Sequence, residues 1–284
     1  MQIQLIDKAA DLGREAAKFG AAVIREALAR RGEATIIVAT GASQFALLEA
    51  LVREPDIDWS RVTAFHLDEY INLPETHPAS FRLYLRQRFL APLAVQPTFI
   101  PVNGDAPDLA AELARLNRLM AGRLVDLCFA GIGENGHLAF NDPPADFDVQ
   151  DPYIVVNLDE GCRRQQWGEG WFPSLEEVPT QAISMSIKQI MRSNTLLLTI
   201  PDQRKAAAVK RAVEGPVDRA CPASIVQLHP NCTILLDASS MRVIASMAFD
   251  TTLEEASAAL LVSATIWLAS WARSAEDFTV TVIS

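Results

Sequence analysis

A histidine in a glycine-rich run is the strongest chemical signal in the sequence. His137 lies in Gly131-Ile132-Gly133-Glu134-Asn135-Gly136-His137-Leu138-Ala139-Phe140-Asn141-Asp142-Pro143-Pro144. Imidazole moves protons near neutral pH, the glycines allow a tight turn, and Asn135 and Asp142 offer polar groups on either side of it. A second signal is Phe65-His66-Leu67-Asp68-Glu69-Tyr70, two adjacent carboxylates in an apolar and aromatic setting. Partial withdrawal from water raises a carboxylate's pKa and makes it a better base. Thr40-Gly41-Ala42-Ser43-Gln44 combines a glycine, hydroxyls and the start of a helix, whose free amides favour an anion. Lys205, in Pro201-Asp202-Gln203-Arg204-Lys205-Ala206, stands near a helix N-terminus, where a cation opposes the dipole unless it faces an anion. Together these residue types suggest proton transfer beside a bound anion. The spacing of Gly131, Gly133 and Gly136 resembles a dinucleotide fingerprint. The run's place mid-chain, the histidine after the third glycine and the Asn-Asp-Pro-Pro that follows argue against that reading.

Each of these groups follows a short apolar run. Ala34–Thr40, Val62–His66, Val125–Ala130, Thr195–Ile200 and Cys232–Asp237 read as buried strands, and Thr98–Pro101 as extended. The first strand is expected near residue 34, after a single helix over Asp7–Ala29 that Gly32 closes. Further helices are expected at Gln44–Arg53, Pro78–Leu90, Ala106–Arg123, Ser186–Arg192, Asp202–Val213 and Thr252–Ser270, with a short helix or turn at Pro222–Leu228. Asp277–Val282 reads as an edge strand. Phe249, Leu260, Ile266, Trp267 and Trp271 read as packing anchors of the C-terminal segment. Strands alternating with helices give an α/β fold with a mainly parallel sheet, and ligands of such sheets lie beyond the strands' carboxyl ends. The even punctuation, without repeat or linker, suggests one domain over residues 1–284.

The 284 residues carry 25 Lys and Arg against 35 Asp and Glu, a net charge of −10. That balance speaks against a nucleic-acid surface and an anionic membrane surface, yet leaves room for a small anionic ligand. Cys128, Cys162, Cys221 and Cys232 form no CxxC pair, as expected of reduced structural thiols. Met1 to Lys8 lacks the apolar run of a secretory signal, and no apolar stretch is long enough to span a bilayer. A cytoplasmic protein with no membrane and no nucleic-acid partner is expected.

The motifs ATGAS, FHLDEY, GIGENGHLAFNDPP, DQRKAAAVKRAVEG and LHPNCTILLD, in this order from about residue 35 to about residue 240, resemble the glucosamine-6-phosphate deaminase (isomerase) family. The resemblance implies a modified doubly wound, Rossmann-like sheet with helices on both faces. It implies conversion of an amino-sugar phosphate to a ketose phosphate with release of ammonia, without metal or redox cofactor, in an enzyme that is often a homo-oligomer. By resemblance, Asp68 is the base at C2 and His137 opens the sugar ring with Asp142 in support. Thr40, Gly41, Ala42, Ser43 and Lys205 hold the phosphate; Glu69 and Gly136 stand beside the substrate. An arginine of the Cys162–Phe172 segment contacts the phosphate, with Arg164 preferred to Arg163. Three departures stand out: Asn135 replaces an Asp of the family, Asp142 replaces a Glu, and the Cys162–Phe172 segment is longer than usual. An Asp in place of Asn135 is expected to be tolerated. The related 6-phosphogluconolactonases share the fold and the Gly-His loop, but Asp68-Glu69-Tyr70 and Ala139-Phe140-Asn141-Asp142-Pro143 are nearer the deaminase pattern. A lactonase and a non-catalytic sugar-phosphate sensor are the alternatives.

Overall fold

The structure, a computed structural model, describes residues 1–201, 203–237 and 279–283. Its strands are β1 (Gln2–Ile6), β2 (Ala34–Val38), β3 (Val62–His66), β4 (Asp68–Tyr70), β5 (Thr98–Ile100), β6 (Leu127–Ala130), β7 (Tyr153–Asn157), β8 (Gln181–Met185), β9 (Thr195–Ile200), β10 (Cys232–Asp237) and β11 (Thr279–Ile283). The α-helices are α1 (Ala9–Arg31), α2 (Phe45–Leu51), α3 (Phe81–Leu85), α4 (Leu109–Met120), α5 (Glu160–Gly168), α6 (Ile187–Met191) and α7 (Ala206–Glu214). Eight strands form one sheet in the order β11-β1-β10-β9-β6-β2-β3-β5, with every pairing parallel.

The near-continuous apolar sequences of β2, β6, β9 and β10 follow from that position, because a parallel strand is covered on both faces. On one face, Leu12, Ala16 and Ile24 of α1 and Leu47 and Leu48 of α2 pack against Ile36, Val38 and Phe129. On the other, Leu116 of α4, Ile190 of α6 and Val209 of α7 pack against Ile37, Cys128 and Leu198. This is the doubly wound α/β arrangement. The chain builds outward from β2 through β3 to β5, then crosses back to place β6 on the other side of β2. Such a reversal opens a crevice at the carboxyl ends of β2 and β6.

Four differences from the sequence reading concern the frame. The first strand is β1, not β2. It buries Ile3, Leu5 and Ile6 and leaves Gln2 exposed, but one short apolar run beside a charged turn carries little signal. The helix expected over Pro78–Leu90 starts after the Ser80 cap and widens into a π-turn at Arg86–Leu90. The Cys162–Phe172 insertion is mostly helix: α5, capped by the Asp159 side chain on the N–H of Cys162. Finally, β4, β7 and β8 form a separate antiparallel sheet over the carboxyl end of the large one. Beneath it, Tyr70, Phe81, Phe140 and Phe172 form an aromatic cluster. The expected Asp277–Val282 strand is found as β11 at the sheet edge. The expected Thr252–Ser270 helix and the anchors Phe249, Leu260, Ile266, Trp267 and Trp271 lie outside the described residues.

Candidate active site

A cleft opens at the strand reversal. Its walls include Thr40, Gly41, Ala42 and Ser43 after β2, Leu67 and Asp68 after β3, Gly131 to Gly133 after β6, His137, Lys205 ahead of α7, and Gln165, Gln166 and Glu169 from the α5 segment. Residues far apart in sequence converge because parallel strands all deliver their carboxyl ends to the same edge.

The loop after β2 turns at Gly41, whose φ of 94° is open to glycine but strained for any side chain. The Tyr84 hydroxyl donates to the Gly41 carbonyl at 2.9 Å, fixing the loop from α3. Across the cleft, the β6 loop closes on itself, with the N–H of Gly136 donating to the carbonyl of Gly133 at 2.9 Å. Gly133 lies flat against the imidazole: a Cβ there would sit 2.3 Å from His137 Nε2. Asn141 ties the loop to β8, its amide donating to the carbonyls of Leu138 and Met185 at 2.8 Å each.

Asp68 and Glu69 are neighbours in β4 and therefore point to opposite faces. Asp68 reaches the cleft while only 5% exposed. Burial pushes its carboxyl well above the ordinary value, and the charge of Glu69 adds to the shift. Glu69 turns away and is fully buried. Its Oε2 accepts from the Ser80 hydroxyl at 2.8 Å, the Arg82 N–H at 3.0 Å and Arg82 Nε at 3.2 Å. Its Oε1 accepts from the N–H groups of Tyr70 and Phe81. The structure therefore does not bring Glu69 to the cleft as expected. It is the strut that locks α3 beneath β4, and neither oxygen is left for a ligand. Two residues earlier, His66 is fully buried, stacks on Phe99 and accepts from the N–H of Val102 through Nε2. That bond needs a neutral ring, and burial together with the Arg82 guanidinium pushes its pKa down to about 3.

His137 Nδ1 lies 3.0 Å from Asp142 Oδ1, and an ionised Asp142 places the proton on Nδ1. Nε2 is then the nitrogen left to act on a ligand. Burial alone would raise the pKa of Asp142, but the bonds from His137, Asn135 and the Asp159 N–H hold it below the ordinary value. Asn135, Gly136 and Asp142 stand behind His137 and are not part of the cleft wall. Arg164 is not brought to the cleft either. It is exposed on α5 and paired with Glu160 one turn away, while Arg163 donates to the carbonyls of Leu175 and Val178. Helical spacing explains the difference: Gln165 and Gln166 face inward from α5, and Glu169, which follows its last residue, lies on the same side. These three were missed because the insertion carried no helix signal strong enough to say which residues face in. Gln165 Oε1 accepts from the Glu134 N–H at 3.0 Å, its amide donates to Glu169 at 2.9 Å, and Gln166 accepts from the Tyr70 hydroxyl at 2.8 Å.

His137, Asp142 and Cys162 offer nitrogen, oxygen and sulfur atoms within 4.8 Å of one another. Burial and the nearby carboxylates Asp142 and Asp159 push the Cys162 thiol well above its ordinary pKa. His137 Nδ1 and both oxygens of Asp142 are already engaged in hydrogen bonds, so the cluster reads as a hydrogen-bonded pair beside a buried thiol.

Residues 7–235 match the family model for glucosamine-6-phosphate isomerases and 6-phosphogluconolactonases. The chain belongs to this family. Among curated members, the glucosamine-6-phosphate deaminases of Bacillus anthracis (strain A0248) and Bacillus cereus (strain AH820) are each 37% identical over 227 residues, covering 80% of this chain and 84% of theirs. A solved member described as a monomeric glucosamine-6-phosphate deaminase superposes with a TM-score of 0.78 at 31% identity, over 86% of this chain and all of that one. A 6-phosphogluconolactonase from Shewanella baltica shares the fold, with a TM-score of 0.70 at 19% identity over 84% of this chain and 98% of its own. The family's two activities thus share one scaffold, and the cleft residues must carry the difference.

Proposed function

We propose that this protein converts glucosamine 6-phosphate and water to fructose 6-phosphate and ammonia. The observation that carries the reading is the meeting of Asp68, His137 and Lys205 with the Thr40–Ser43 loop in one cleft. In this reading the loop's amides, the Ser43 hydroxyl and Lys205 hold the phosphate. Gly136 shapes the turn that presents His137, and Asp142 and Asn135 orient the imidazole. His137 Nε2 takes the proton of the C1 hydroxyl and passes it to the ring oxygen as the pyranose opens, which exposes the C1 aldehyde. The C2 proton is now α to a carbonyl. Asp68 removes it and delivers a proton to C1, leaving an imine at C2. Water adds to that imine, and ammonia leaves as the ketone forms. A carboxylate withdrawn from water is a stronger base than one in solution, and this matches the burial of Asp68. Phosphate binding, ring opening and the proton transfer from C2 to C1 are each assigned to a group of the chain.

Glu69 and Arg164, which the resemblance places at the substrate, have no part in this reading. The four cysteines are unpaired and buried, which fits a cytoplasmic enzyme. Among the described residues no helix is long and apolar enough to cross a membrane. The similar solved deaminase is described as monomeric, so a homo-oligomer is not part of the proposal.

The test is direct. Purified protein with glucosamine 6-phosphate should release ammonia and fructose 6-phosphate in equal amounts. It should not accelerate 6-phosphogluconolactone hydrolysis above the spontaneous rate. No ammonia from either glucosamine or galactosamine 6-phosphate at high enzyme concentration would overturn the reading.

A further inference from the structure

Seventeen residues beyond Asp142, Asp159 closes a polar cluster behind the imidazole. Asn135 is its centre. One N–H of its amide donates to Asp142 Oδ1 at 2.9 Å and the other to Asp159 Oδ2 at 3.0 Å. Its Oδ1 accepts from the His137 backbone N–H at 3.0 Å. Asp159 returns the contact through its own backbone, whose N–H donates to Asp142 Oδ2 at 2.8 Å. Its remaining oxygen, Oδ1, accepts from the N–H of Cys162 at 2.6 Å and starts α5, the helix that brings Gln165, Gln166 and Glu169 to the cleft.

We propose that Asp159 is a positioning residue for His137: with Asn135 it forms a clamp that keeps Asp142 turned onto the imidazole and joins that pair to the α5 wall. The chemistry of the cluster requires an amide at its centre. Asp142 and Asp159 both present acceptors to residue 135, and only a group with two N–H bonds satisfies both. A carboxylate there would have none to give. Three carboxylates would then lie within hydrogen-bonding distance, and one would have to take up a proton or move away. The sequence expectation that Asp is tolerated in place of Asn135 is thereby reversed, and Asp159 is the reason. As an α5 cap alone, Asp159 would be interchangeable with other capping residues. As a clamp, it acts on His137 through Asn135, and the two residues are energetically coupled. The inference deepens the proposed function, but its geometric part does not depend on which substrate is used.

A double-mutant cycle on the full-length protein tests it, with Asn135→Asp and Asp159→Asn made singly and together. Asn caps a helix as well as Asp does, so α5 is preserved. The readouts are the pH profile of kcat/KM with glucosamine 6-phosphate and the proton resonance of His137 Nδ1–H without substrate. Asn135→Asp should lower kcat/KM at neutral pH by about tenfold or more, with the acidic limb moved to higher pH, and should shift the Nδ1–H resonance. Adding Asp159→Asn should recover roughly fivefold and bring the resonance partly back, because the amide at position 159 then donates to the carboxylate at 135 and relieves one of its two carboxylate contacts. Equal effects of Asp159→Asn in both backgrounds would reduce Asp159 to a cap and overturn the clamp. Should Asn135→Asp fail to fold, Asp159→Ser decides, since serine caps the helix but cannot reach Asn135. A loss of kcat with a shifted Nδ1–H resonance supports the clamp, and neither change overturns it. If no variant and no wild-type protein releases ammonia, the functional reading fails, while the resonance still decides the clamp.

Discussion

Replacing Glu69 by Gln separates the two roles this residue could hold. Read from the sequence, Glu69 belongs with the substrate; in the structure it is a buried strut. Its two oxygens accept five hydrogen bonds, three on Oε2 and two on Oε1. Gln keeps one oxygen and turns an NH2 group toward the donors of the other. If the oxygen stays with Ser80 and Arg82, the N–H groups of Tyr70 and Phe81 lose their acceptor, and the Arg82 guanidinium, only 3% exposed, loses a charged partner. Each buried donor left unpaired costs about 1–3 kcal/mol, and breaking a buried ion pair costs about 3–5 kcal/mol. Because Asp105 still pairs with Arg82 at 2.7 Å, the ion-pair cost is largely avoided and the two unpaired N–H groups dominate, so we expect a net loss of about 3 kcal/mol. For a chain of this size that lowers Tm by roughly 6–12 °C. The assay is thermal and urea unfolding by circular dichroism, beside KM for glucosamine 6-phosphate below the new Tm. The expected result is a large fall in Tm with KM changed by less than about threefold. An unchanged Tm with a KM raised tenfold would refute the strut and return Glu69 to the substrate.

Asp68→Asn should leave sugar-phosphate binding by calorimetry close to wild type and abolish ammonia release, because an amide cannot take the C2 proton; near-normal turnover would mean another base. Since burial raises the Asp68 pKa, the acidic limb of wild-type kcat/KM should lie well above the ordinary carboxylate range, and activity should fall as pH drops through it. Gly133→Ala would place a methyl carbon 2.3 Å from His137 Nε2, so the ring must shift; kcat should fall by about a hundredfold with a much smaller change in KM, and an unchanged kcat would show that the imidazole is not held as described. His66 titrates near 6.5 when unfolded and at about 3 when folded, so only the unfolded chain takes up its proton between those values. Its contribution is complete above pH 6.5 and is lost as pH falls toward 3, at about 1.4 kcal/mol per pH unit. The wild type should therefore lose about 2 kcal/mol more than His66→Gln between pH 6.5 and pH 5, read from urea midpoints, and identical slopes would count against a buried neutral His66.

The sequence determined the frame and many of the residues that line the cleft. Short apolar runs such as Ala34–Val38 and Thr195–Ile200 read as strands covered on both sides, and alternation with helices makes the sheet parallel. From there the ends of β2, β3 and β6 become the place to look, and Asp68, His137, Ser43 and Lys205 do line one cleft. What remained hidden depends on contacts distant in sequence. β4 is three residues long and is a strand only because β8 pairs with it, so the opposite facing of Asp68 and Glu69 could not be read from Asp-Glu-Tyr. Arg164 looked suitable by charge, whereas the inward face of α5 is set by where the helix docks, and that face carries Gln165, Gln166 and Glu169. Asn135 looked like a relaxed substitution until Asp159, 24 residues away, appeared on the far side of its amide. Local pattern is enough for periodicity, because burial repeats along one chain segment. Direction and partnership belong to the tertiary structure, because they are decided by what a second segment places opposite.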